Sequence, residues 1–162
     1  MGRKMDKIQK LTINCIVLIS FSSATFTDEL KDIIDSKKSS FEEIALDIWN
    51  YAELGYLETK SSNLLASELE ENGFIIQKGV AGIPTSFIAE FNNGGPVIGI
   101  LGEFDALPGL AQTNSPFKEV ADNETGAGHA CGHHLFGAAS AWAAVVIKEW
   151  IEAVSYTHLT LP

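Results

Sequence analysis

The stretch Pro96–Phe104 (PVIGILGEF) constrains this chain more than any other. Its apolar residues run almost continuously, without the alternation of a strand that has one wet face. A strand of that kind expects cover on both sides, as at the centre of an α/β sheet. The flanking segments agree with a layered α/β arrangement. In 28–38, Leu30, Ile33 and Ile34 recur at helical spacing. Ser40 followed by Glu43 reads as a capping box opening a second helix, with Phe41, Ile44, Ala45, Ile48 and Trp49 on one face and an end near Gly55. A third helix is expected over 60–72, stopped by Gly73. The period then shortens. Residues 74–80 and 85–91 read as strands, and Asn92-Asn93-Gly94-Gly95 as the turn of a hairpin joining 85–91 to 96–104. Residues 105–128 read as loop, and from about His133 to Ala153 the chain is helical again, rich in alanines that suit close packing.

The two ends differ in character from this body. Arg3, Lys4, Lys7 and Lys10 precede the apolar run Leu11–Phe21, which is followed by Ser22-Ser23-Ala24. A positive start, a short apolar core and small residues at cleavage spacing describe a secretory signal peptide over residues 1–24. The alternative is an amphipathic or buried N-terminal helix in a cytoplasmic protein. The run falls short of the about 20 apolar residues that span a bilayer, so no membrane association is expected after cleavage. The last nine residues, 154–162 (VSYTHLTLP), follow a strong helix with no cap and look like translated adaptor read-through. They are expected to be a non-native tail, with a natural strand as the alternative, and His158 is not counted as a ligand. The body is then 25–153.

Charge and cysteine content exclude function classes. Twenty-one acidic residues against eleven basic give a net charge of −10. Without a basic surface there is no counterion-release term, so nucleic acid is not an expected partner. Of the two cysteines, Cys15 lies in the expected leader, leaving Cys131 with no intrachain disulfide partner.

Cys131 sits in the densest chemical cluster, Gly128-His129-Ala130-Cys131-Gly132-His133-His134. Thiolate and imidazole are ligands for zinc and similar divalent ions. Gly132 lets the backbone turn so that Cys131 and His133 can face one ion, and a helix N-terminus just beyond favours the thiolate. The second cluster is Gly102-Glu103-Phe104-Asp105-Ala106-Leu107-Pro108-Gly109, at the C-terminal end of the apolar strand, where α/β sheets place their sites. Its two carboxylates can orient a metal-bound histidine or bind an ion directly. Taken alone it also reads as a solvated turn.

These segments, with Glu53-Leu54-Gly55-Tyr56 and Gly79–Thr85 (GVAGIPT), resemble the aminoacylase/carboxypeptidase family of metallopeptidases and amidohydrolases, in particular its branch of aminobenzoyl-glutamate-type hydrolases and related dipeptidases. The similarity runs in order over roughly residues 40–152, and the pair GEFDALPG and CGH is its specific part. The resemblance implies a zinc-peptidase-like α/β catalytic domain, a mixed sheet flanked by helices, of which this chain would be a truncated N-terminal portion. It implies hydrolysis of the amide of an N-acyl amino acid or dipeptide by two divalent ions, zinc or manganese. It also implies a homodimer formed through an inserted domain. Carried onto this sequence, Cys131 and His133 are the metal ligands, with Cys131 able to bridge two ions, and Asp105 is the aspartate that orients the metal site. His129 matches a histidine that is not usually a ligand. His134 stands where the family has Asp or Asn, and Glu103 where related branches carry a metal-binding histidine, so neither is assigned. The family's general base belongs to a Glu-Glu pair after the CGH helix, and none follows Cys131 here. The 162 residues alone are therefore expected to be inactive. A Cys131/His133 thiol hydrolase and a non-catalytic metal-binding module are the alternatives.

Overall fold

The computed structural model describes residues 7–92 and 94–158, with side chains over 28–92 and 94–153. Two compact units divide the chain, residues 1–36 and 37–162. Helix α1 (Lys7–Tyr51) supplies the described part of the first and opens the second. The expected leader lies outside the described side chains, and its residues 1–6 outside the described residues altogether. Among the described residues no helix is long and apolar enough to cross a membrane.

The expectation of separate helices over 28–38 and 40–55 is corrected. Both belong to α1, and Ser40 lies inside it rather than capping a new helix. No glycine or proline occurs between Lys7 and Leu54, and serine inside a helix costs only a few tenths of a kcal/mol, roughly, relative to alanine. The Ser40 hydroxyl instead lies 3.5 Å from Glu68 on α2 (Thr59–Glu71). The helix stops at Tyr51 and not near Gly55, because Ala52 turns to a positive φ of 42°. Helix α2 ends as expected. Gly73 adopts φ 86°, and its N–H and that of Phe74 close back on Glu70 and Leu69.

Strands β1 (Ile75–Lys78) and β2 (Phe87–Glu90) pair antiparallel, Ile75 opposite Glu90 and Lys78 opposite Phe87, inside the two stretches expected to be strands. The third expectation fails. Among the described residues, 96–104 form no ladder with β2, so the expected hairpin is not formed and the stretch is not sandwiched. Val97 is 99 %, Ile98 77 % and Leu101 72 % exposed. Among the described residues no strand lies beside this segment to take its backbone hydrogen bonds. Within the expected loop 105–128 there are instead two short strands, β3 (Leu107–Pro108) and β4 (Ala127–Gly128), paired antiparallel. Leu54 bridges Ala106 in parallel fashion. Helix α3 (His133–His158) continues into the stretch expected to be a tail, while 159–162 lie outside the described residues.

The main core joins Phe41, Ile44 and Ile48 of α1, Leu65 and Leu69 of α2, Phe74, and Ala138, Ala141 and Val145 of α3. A smaller one, Ala52, Ala106 and Ala127 with Leu54 against it, ties the end of α1 to β3 and β4. The result is the mixed α/β class read from the sequence, small sheets flanked by helices.

Candidate metal centre

Two close approaches bring the two chemical clusters together. Gly137, one turn into α3, lies against the backbone of residues 103 and 104. A Cβ there would stand 2.9 Å from the Glu103 carbonyl oxygen and 3.1 Å from Phe104 Cβ. His133 precedes Gly137 by four residues and shares its helix face. From the other side, the Glu53 carbonyl accepts the Ala106 N–H at 2.7 Å. The Glu53 carboxylate meanwhile accepts the N–H groups of Lys60 and Ser61 and the Ser61 hydroxyl, at 2.8–2.9 Å, satisfying the first turn of α2. Glu53 thus fixes both α2 and the GEFDALPG segment, a role that the short ELGY string did not announce.

The outcome is a histidine held between two carboxylates. His133 Nδ1 lies 2.8 Å from Asp105 Oδ1, and His133 Nε2 lies 3.1 Å from Glu103 Oε2. Asp105 Oδ1 accepts the hydrogen bond from Nδ1–H, and Nε2 is left on the side of Glu103. This donor chemistry fits a divalent cation. Cys131 is exposed and not in a disulfide. It lies in the turn before α3, where Gly132 adopts φ 78° and bonds back to the His129 carbonyl. Among the described residues no three Cys, His, Asp or Glu side chains converge on one point. Of the residues expected at the site, His133 and Asp105 are brought into contact.

The other two histidines do different work. His129 is buried, and its Nε2–H donates to the Ile48 carbonyl at 2.9 Å, pinning the loop to α1. Burial is the main cause that lowers its pKa, partly opposed by that hydrogen bond. His134 packs edge-on to Trp49 with ring centres 4.9 Å apart, and burial lowers its pKa too, followed by the neighbouring His129. Both rings thus pack against α1, His129 at Ile48 and His134 at Trp49. Spacing alone groups the three imidazoles, and the resemblance sets His133 apart from His129 while leaving His134 unassigned.

No family model matches the chain. Forty per cent of 123 residues are identical to one of the subunits of p-aminobenzoyl-glutamate hydrolase from Escherichia coli, over 76 % of this chain and 26 % of that protein. Hippurate hydrolase of Campylobacter jejuni is 31 % identical over 104 residues, 64 % of this chain and 26 % of that protein. Thermostable carboxypeptidase 1 of Saccharolobus solfataricus is 31 % identical over 108 residues, 65 % of this chain and 26 % of that protein. Over that stretch the chain is similar to members of the aminoacylase/carboxypeptidase family of amidohydrolases and peptidases. The family is one of hydrolases, and this chain spans about a quarter of the length of the curated relatives it matches.

Proposed function

We propose that the protein containing these residues is a metal-dependent amidohydrolase that cleaves the amide bond of an N-acyl amino acid or dipeptide, with aminobenzoyl-glutamate-like substrates foremost. The observation that carries this reading is the Asp105–His133 hydrogen bond, formed between the two motifs the family resemblance singles out. In this reading His133 and Cys131 hold metal, as part of a two-ion site of zinc or manganese. Asp105 holds the imidazole by Nδ1 so that Nε2 is left as the donor. A bound divalent ion supplies Lewis acidity, activating water and polarising the scissile carbonyl. Gly137 and the Glu53–Ala106 hydrogen bond hold the carboxylates in register with His133. None of these 162 residues is assigned as general base, and the chain by itself is inactive. Export through residues 1–24 and a homodimer belong to the same reading.

The thiol-hydrolase alternative gains no support, because both nitrogens of His133 face carboxylates rather than the Cys131 thiol. The test is hydrolysis of aminobenzoyl-glutamate, hippurate and dipeptides by the complete gene product, with zinc, manganese or cobalt supplied and then chelated. Turnover that chelation abolishes is expected. Failure to hydrolyse any of them with any metal overturns the proposal.

A further inference from the structure

Residues 101–106 are anchored at both ends, and Asp105 lies between the anchors. At one end the Ala106 N–H donates to the Glu53 carbonyl at 2.7 Å. At the other the Ser140 hydroxyl of α3 donates to the Leu101 carbonyl at 2.7 Å. A serine inside a helix ordinarily turns its hydroxyl to water or to the carbonyl four residues back. Here it reaches a carbonyl 39 residues away in sequence, on a segment with no ladder among the described residues. The chains also fit closely at this place, where a Cβ on Gly102 would stand 3.2 Å from Ser140 Cβ.

His133, Gly137 and Ser140 recur at i, i+4 and i+7, so they share one face of α3. Their partners step in the opposite direction: Asp105 for His133, Glu103 and Phe104 for Gly137, Leu101 and Gly102 for Ser140. Seven helical residues rise about 10.5 Å, and four residues of chain reach at most about 14 Å. The segment therefore runs nearly straight along the helix face, and a slide at Leu101 is passed on to Asp105. A slide of roughly 1 Å is enough, because it lengthens the 2.8 Å contact between Asp105 and His133 beyond hydrogen-bonding range.

We infer that Ser140 is a positioning residue of this site: its hydroxyl sets the register of residues 101–105 on α3, and through that register the contact between Asp105 and His133. The inference deepens the metal-dependent reading and rests on it for its consequence in catalysis. Ser140 stands about two turns from His133 and acts on it only through the segment it holds.

The experiment compares the full 162-residue chain with Ser140→Ala, Ser140→Thr, Asp105→Ala and the double variant Ser140→Ala/Asp105→Ala. Through-space NMR contacts between the His133 ring protons and the Asp105 β-protons are read without metal. Cobalt(II) affinity is read by competition with a chromogenic chelator. Alanine is a better helix former than serine, so a serine with only a local role can be replaced without moving either reading. The expected result is that Ser140→Ala loses the contacts between His133 and Asp105 and weakens cobalt about 10-fold. Ser140→Thr keeps the hydroxyl and retains both. In the Asp105→Ala background the same change to alanine alters affinity less than about 2-fold, because the group it acts through is gone. Ser140→Ala with contacts and affinity of wild type overturns the positioning role, and so does an equal loss of affinity in both backgrounds. Loss of the core contacts among Ile48, Leu65 and Val145 in the same variant also overturns it, since the serine would then hold the fold rather than the register. Wild type that takes up no cobalt overturns the metal-dependent reading, and the NMR contacts then decide the role of Ser140 by themselves.

Discussion

Replacing Val97, Ile98 and Leu101 together with serine is expected to cost this chain almost no folding stability. Fully burying an aliphatic side chain of this size contributes about 1.5–3 kcal/mol. In a strand covered on both faces the triple substitution would therefore remove about 5–9 kcal/mol, enough to unfold most domains. The structure leaves these side chains 99 %, 77 % and 72 % exposed. Scaling by what remains covered reduces the combined loss to roughly 1 kcal/mol. The assay is urea unfolding followed by tryptophan fluorescence, with Trp49 and Trp142 inside the folded body. A second reading is the soluble fraction after centrifugation. The exposed apolar run is an aggregation site, so residues 25–153 alone are expected to associate, and the triple variant to stay dispersed. A loss of about 4 kcal/mol or more in the 162-residue chain would refute the reasoning, since only buried side chains cost that much.

Three further outcomes follow from the geometry. Gly128→Ala would put a Cβ 2.1 Å from the Leu110 carbonyl oxygen and 2.8 Å from its carbon. Because backbone cannot rotate away, this is expected to destabilise by about 3 kcal/mol or more, beyond ordinary overpacking, and is measured by the same urea titration. His129 and His134 both have pKa values lowered from the usual 6.5, chiefly by burial. The unfolded chain thus binds more protons than the folded one between the lowered values and 6.5, so their contribution is full above 6.5 and is lost as pH falls below it. Urea midpoints measured across that range are expected to fall on the acid side, and His129→Gln to flatten the slope. Asp105→Ala removes the group that fixes the His133 tautomer. It is expected to lower cobalt affinity by about 10- to 100-fold in the chelator competition, and an unchanged affinity would remove Asp105 from its positioning role.

How much of this is legible in the sequence depends on whether local chemistry or a distant partner decides each element. Helix α2 announces itself through its apolar stripe and through Gly73, which reaches φ 86° without penalty. Strands β1 and β2 are legible because short apolar runs bounded by Gly82-Ile83-Pro84 leave few other choices. The boundary expected at Ser40 does not form because a capping box is only a local preference. With no breaker nearby, continuing α1 and offering the serine hydroxyl to Glu68 serves as well. Residues 96–104 depart from expectation for the converse reason. Their composition states what surroundings they would need, and the described residues hold no strand to provide them.

The metal centre shows the same division at the level of single atoms. The string GHACGHH carries thiol and imidazole donors close together, but spacing within it does not rank its three imidazoles. Ranking comes from what lies opposite each ring. His129 faces the Ile48 carbonyl, His134 faces Trp49, and His133 alone faces carboxylates on both nitrogens. Those partners sit 28 to 81 residues away along the chain or arrive through packing, and residue spacing within a motif carries no trace of them. Gly137 is the link. It reads as one more small residue in an alanine-rich helix, yet its missing side chain is what allows Glu103 and Asp105 to reach the helix face that carries His133. The reactive residues identify the chemistry, and the glycine decides which of them can perform it.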